Sequence, residues 1–133
     1  MKINGIHHIG VNTRDLKESV CFYTEVLKLD FVSETSLGDD YAAYIKCGPD
    51  SVLELFCMEG RLAEQKQNDN AVGVRHIAFD VDHIEEWDGY LRQRKIPYRT
   101  ELTQIEAIRK KVLLVEAPDN VIVELCQNCE SVL

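Results

Sequence analysis

Four residues of this chain have the type and spacing to do chemistry: His8, Glu54, His76 and Glu124. His76 lies in Gly73-Val74-Arg75-His76-Ile77-Ala78-Phe79-Asp80, which alternates as a strand. Val74, His76, Ala78 and Asp80 fall on one face, and Arg75, Ile77, Phe79 and Val81 on the other. The second face is the more apolar, so it should pack on a core and turn His76 the opposite way. Gly5-Ile6-His7-His8-Ile9-Gly10-Val11-Asn12 has the same form, with Gly5 on Gly73, Ile6 on Val74, His8 on His76 and Ile9 on Ile77. A small residue, Gly10 or Ala78, sits two places after each histidine on the same face. That leaves room over the imidazole for something that is not protein. Glu54 shares its strand face with Val52 and Phe56, and Glu124 shares its face with Ile122 and Cys126. A carboxylate in an apolar strand is costly unless it is paired or binds a metal. Two of them, at matched places after matched histidines, suggest one shared reason.

Two histidines and two glutamates form a neutral-nitrogen and carboxylate-oxygen set. Such a set suits a borderline divalent ion, nickel or zinc first, with cobalt, iron or manganese as alternatives, rather than calcium or a thiolate-bound structural zinc. A six-coordinate ion would keep two positions open for water or substrate, which a catalytic site needs. The competing reading is that each half keeps a satisfied histidine and an edge glutamate by common descent, with no metal. His7 and His83 lack counterparts in the other half; His7 should point to the helix side, and His83 sits at a helix start. Both are read as structural or solvated, and Phe22, Trp87 and the helix tyrosines as core.

The elements around these residues repeat as well. Strand Ile6–Val11 is followed by Asp15-Leu16-Lys17-Glu18, a capping box that opens a helix. Leu16, Val20, Tyr23 and Leu27 give the helix its apolar stripe, with an end near Lys28. An extended stretch from Phe31, a turn at Leu37-Gly38-Asp39-Asp40, and strands Tyr41–Cys47 and Val52–Cys57 complete a βαβββ module. Residues 58–72 are polar and read as a short helix or loop linking the halves. The second half runs the same order: strand Val74–Val81, a capping box at Asp82-His83-Ile84-Glu85, and a helix with Ile84, Trp87 and Leu91 inward. Extended Pro97–Thr100 and strands Lys110–Val115 and Val121–Leu125 close it. The expected fold is α+β, two tandem βαβββ modules in one domain, with module one at 1–57, module two at 73–127 and a tail at 128–133.

The chain has 133 residues, enough for a real core, and 45% of them are apolar, as in an ordinary soluble domain. The net charge of −8, with no dense basic patch, argues against nucleic acid as a partner. No apolar run approaches the roughly 20 residues of a membrane span, and Met1–Gly5 lacks the apolar core of a signal peptide. No membrane partner and a cytoplasmic location are the resulting expectations. Five cysteines, an odd number, read as reduced thiols. Cys126-Gln127-Asn128-Cys129 has no second C-x-x-C to pair with and is read as bland thiols in a frayed tail.

The stretches His8–Leu16, Phe22-Tyr23, Leu27-Lys28-Leu29, Val52–Leu55, Arg75–Phe79 and Val121–Leu125 together resemble the vicinal oxygen chelate superfamily, and within it the glyoxalase I (lactoylglutathione lyase) branch. The resemblance covers nearly the whole chain. It implies paired βαβββ modules whose curved mixed sheets surround a metal, and it places His8, Glu54, His76 and Glu124 on the four ligand positions of glyoxalase I. Related dioxygenases and thiol-transferring resistance proteins lack the acid at Glu54, and methylmalonyl-CoA epimerases usually carry Gln there. Asn12 and Met58 stand where bacterial glyoxalase I enzymes commonly have Arg and Asn, both glutathione contacts.

The resemblance implies a metal-dependent isomerase or lyase acting on a small substrate, with one divalent ion per site. The substrate chelates through two neighbouring oxygens. Glu124 is ligand and general base on the carbon beside a chelated carbonyl, and Glu54 is ligand and second acid or base. Two alternatives share the fold: an epimerase of an acyl-CoA thioester, and a non-catalytic small-molecule binding or resistance protein. The resemblance also implies a symmetric homodimer, because each module's metal-bearing sheet face needs a second curved sheet over it.

Overall fold

Asp15 opens the first helix as expected: its side chain accepts a hydrogen bond from the Glu18 backbone N–H at 3.1 Å. In the computed structural model, which describes residues 1–58 and 72–129, helix α1 (Leu16–Cys21) continues as a π-helical turn over Phe22–Val26. Phe22, Tyr23, Val26 and Leu27 on this turn are buried. The helix stops where Lys28 takes a left-handed conformation (φ 60°), and the Leu29 N–H then bonds back to the Tyr23 carbonyl.

Strands β1 (His8–Thr13), β2 (Asp30–Leu37), β3 (Asp40–Lys46) and β4 (Val52–Cys57) form one sheet in the order β1-β4-β3-β2. β1 runs parallel to β4, and the other neighbours are antiparallel. α1 packs on β3 and β4, over fully buried Ala43, Ile45, Leu53 and Leu55. A second sheet repeats the plan: β5 (Ile77–Asp80), β6 (Tyr98–Ile105), β7 (Lys110–Glu116) and β8 (Ile122–Asn128), in the order β5-β8-β7-β6. Helix α2 (Ile84–Gln93) packs on β7 and β8, with Ile84, Leu91, Leu113, Val115, Val123 and Leu125 buried. The chain divides into two compact units, Met1–Glu64 and Gln65–Leu133, each an open four-stranded mixed sheet with its helix. The fold is the α+β pair of βαβββ modules expected from the duplication.

Four details differ from the sequence expectation. The second helix is not opened by Asp82. Its N-cap is His83, in a left-handed conformation (φ 52°), and the first free N–H, that of Ile84, donates instead to Gln127 Oε1 at 2.8 Å. A side chain arriving from β8 thus replaces the local cap. The ladder of the fifth strand begins only at Ile77, so His76 stands one residue before it rather than inside it. β6 runs on through Ile105, well past the short extended stretch expected at Pro97–Thr100. β8 carries Cys126, Gln127 and Asn128, paired with Val112, Lys111 and Lys110, where frayed chain had been expected from Cys126. The linker expected over 58–72 falls, except for Met58 and Val72, outside the described residues, as does the end of the chain from 130. Among the described residues, no helix is long and apolar enough to cross a membrane.

Candidate active site

Each unit brings one histidine and one glutamate together on the sheet face opposite its helix. In the first unit, His8 and Gly10 are exposed while Ile9 is half-buried and Thr13 fully buried, so β1 turns His8 away from the core. The parallel register sets His8 beside Val52 and Gly10 beside Glu54. A Cβ added at Gly10 would meet nothing within 4 Å, so the space beside the imidazole is open. His8 Nε2 lies 3.7 Å from Glu54 Oε1, and only 16% of the Glu54 side chain is exposed. In the second unit, Ala78 lies beside Glu124 in the same parallel register. His76 Nε2 is 3.2 Å from Glu124 Oε2, with the Glu124 side chain 15% exposed.

These carboxylates have lost most of their water, and each faces an imidazole nitrogen of its own unit. His76 Nδ1 is buried with no hydrogen-bond partner, so among the described residues the ring makes its polar contact through Nε2 alone. An Nε2 and a carboxylate oxygen aimed at one another, beside a position kept small, is a donor pair that a divalent ion fits. Imidazole nitrogen with carboxylate oxygen is also the right ligand chemistry for such an ion. Among the described residues, no group of three or more His, Cys, Asp or Glu side chains stands together. Each unit, taken by itself, holds one His–Glu pair.

Three side-chain contacts of these pairs were not read from the sequence. His7 is not turned to the helix side: its Nδ1 lies 2.9 Å from His8 Nδ1 and its ring meets that of His8 edge-on. Tyr44, directly opposite Glu54 in the β3–β4 register, donates its hydroxyl to Glu54 Oε2 at 2.7 Å. That hydrogen bond, with burial and the Glu54 charge behind it, raises the Tyr44 pKa above the usual phenol range. Counting outward from the Gly48-Pro49-Asp50 turn would have paired Tyr44 with Glu54. Cys126 shares the face of Glu124 and hydrogen-bonds it. Burial first, then the Glu124 and Asp80 carboxylates, push its thiol upward against the pull of Lys110. Cys126 is therefore held as a thiol and is a poor nucleophile. All five cysteines are free. Asn12 is exposed two residues beyond Gly10, on the His8 face, and Met58 is half-buried just past β4.

Comparison with known proteins adds a family. Residues 5–125 match the model of the Glyoxalase/Bleomycin resistance protein/Dioxygenase superfamily. The lactoylglutathione lyase of Salmonella typhimurium is 30% identical over 126 residues, which is 90% of this chain and 90% of that enzyme. The mitochondrial methylmalonyl-CoA epimerase of Homo sapiens is 27% identical over 129 residues, covering 92% of this chain and 73% of that one. Among solved structures, the glyoxalase family protein from Enterococcus faecalis superposes with a TM-score of 0.79 at 28% identity, over 95% of this chain and 99% of that one.

Proposed function

The chain belongs to the Glyoxalase/Bleomycin resistance protein/Dioxygenase superfamily, and from that premise we propose that it is a metal-dependent isomerase or lyase of the glyoxalase I type. The observation that carries the reading is the repeated donor pair: equivalent histidines and glutamates, 3.7 Å and 3.2 Å apart, on the helix-free face of each sheet. His8, Glu54, His76 and Glu124 are the proposed ligands of one divalent ion, nickel or zinc first. When bound, that ion supplies Lewis-acid stabilisation of the negative charge that develops on a chelated substrate oxygen.

The residues do the rest. Glu124 would take the proton from the carbon beside the substrate carbonyl and hold it as a carboxylic acid. The neighbouring carbon would be reprotonated by that acid, or by Glu54 once it has drawn a proton from solvent, while Glu54 otherwise keeps its place as a ligand. The apolar strand neighbours of both carboxylates limit access of water, which makes a proton acceptor there more effective than one in bulk solvent. The substrate class is a small molecule with two adjacent oxygens, such as the adduct of a thiol with a 2-oxoaldehyde. An epimerase of an acyl-CoA thioester is the second reading, favoured by the likeness to the human epimerase and served by the same proton abstraction.

Metal analysis and chelation test the proposal. The purified protein is expected to hold a divalent ion, to lose turnover of thiol–methylglyoxal adducts on dialysis against a chelator, and to regain it with nickel or zinc. Ligand binding that survives chelation unchanged, with no turnover of any adduct, would instead make this a sequestering protein. Asn12→Arg examines the substrate handle. A cation there would restore a charge-assisted contact worth about 1.5–3 kcal/mol. The KM for the glutathione adduct should therefore fall roughly tenfold or more, with metal affinity unchanged. An unaltered KM would show that residue 12 does not line the pocket.

The reading also includes a symmetric homodimer, since each helix-free sheet face carries a desolvated carboxylate that needs cover. Sedimentation at micromolar concentration should give twice the 15.2 kDa chain mass. A monomer at that concentration would remove the dimer from the proposal.

A further inference from the structure

The two glutamates differ in what lies across the sheet from them. Tyr44 stands opposite Glu54, and its hydroxyl donates to Glu54 Oε2 at 2.7 Å in a partly buried setting. The corresponding place opposite Glu124 is held by Leu114, which has no polar atom to offer. The phenol is therefore not a feature of the repeated strand plan; it belongs to the first unit alone. It also engages one particular oxygen. Oε2 takes the hydroxyl, and Oε1 is left as the oxygen 3.7 Å from His8 Nε2. A donor anchored on a central strand stops the carboxylate from rotating about its last bond and from offering both oxygens to the same ion. Among the described residues, Glu124 has the weak S–H donor of Cys126 beside it, besides His76.

The geometry points to Tyr44 as a positioning residue that fixes Glu54 as a one-oxygen ligand directed at the His8 side of the site. The inference rests on the metal-dependent reading above. The hydroxyl touches no substrate in this role; it acts through Glu54, as outer hydrogen-bond partners of metal-ligating carboxylates do.

Cobalt(II) serves as the probe, because its visible spectrum reports coordination and its binding can be titrated without any substrate. In the full-length protein, Tyr44→Phe is expected to weaken cobalt(II) binding by about 10–100-fold and to shift the spectrum, while the thermal midpoint of the metal-free protein stays in place. In a Glu54→Ala background the same substitution should change cobalt(II) affinity by less than about twofold, because the carboxylate it acts through is gone. Equal affinity and identical spectra for wild type and Tyr44→Phe would overturn the positioning role and leave the metal reading standing. A loss that persists undiminished in the Glu54→Ala background would overturn it as well, since the effect would not pass through Glu54. A wild-type protein that takes up no cobalt(II), nickel or zinc would overturn both.

Discussion

Glu124→Gln is expected to abolish turnover while sparing the fold and most of the metal affinity. An amide oxygen can coordinate a divalent ion much as a carboxylate oxygen does, but it cannot accept a proton, and loss of a general base typically costs about 10²–10⁴-fold in rate. The substitution is nearly isosteric. The Glu124 side chain is largely covered and meets His76 Nε2 at 3.2 Å. A neutral amide there needs less solvation than a carboxylate, so the unfolding free energy should stay within about 1 kcal/mol of wild type. Turnover at saturating metal, measured beside the unfolding midpoint, separates the effects. Full activity in Glu124→Gln would end the proton-abstraction mechanism and favour a binding protein. Lost activity together with lost metal would say that Glu124 serves as ligand only.

Much of this arrangement was legible in the sequence because strand periodicity is strict. Alternation placed His8 and Glu54 away from Ile9, Leu53 and Leu55, and burial follows that division, with both leucines fully enclosed. The duplication was legible because the two halves keep the same residue types at the same turns. Their shared β1-β4-β3-β2 and β5-β8-β7-β6 orders follow from it. Gly5 and Gly73, aligned in the repeat, both adopt positive φ (148° and 121°), a conformation that explains why glycine stands before each histidine strand.

What escaped the sequence involves contacts between elements. The Asp82 capping box fitted a local pattern that Asp15 fulfils, yet Gln127, distant in sequence, reaches the helix start first. No local rule weighs such a competitor. Tyr44 was not singled out within the Tyr41–Cys47 strand, because its role depends on register with Glu54 rather than on its own periodicity. The strand through Cys126, Gln127 and Asn128 was cut short for a related reason. Polar residues there resemble a tail, but β7 supplies a hydrogen-bonding partner as far as Lys110, and the Cys129 N–H still finds the Arg109 carbonyl.

The helix-facing side of the same strands carries the stability, and Leu113→Ala should show it. Leu113 is fully buried on β7, opposite Leu125 of β8 and beneath a helix that buries Ile84 and Leu91. Its neighbour Leu114 points to the other face, across from Glu124. Truncation at 113 removes apolar contacts and leaves a cavity between sheet and helix, where a regular strand cannot move in to fill it. Leu→Ala changes of this kind cost about 2–5 kcal/mol. Denaturant unfolding should accordingly show a much lower midpoint with little change in slope. The β7–β8 backbone pairing that holds Glu124 does not depend on the Leu113 side chain. At low temperature, the protein that remains folded should therefore bind metal with nearly wild-type affinity. A destabilisation below about 1 kcal/mol would mean that the helix packs elsewhere than over Leu113. A metal affinity that falls in step with stability would mean that the two faces of the sheet are not energetically separate, and that the site depends on the core beneath it.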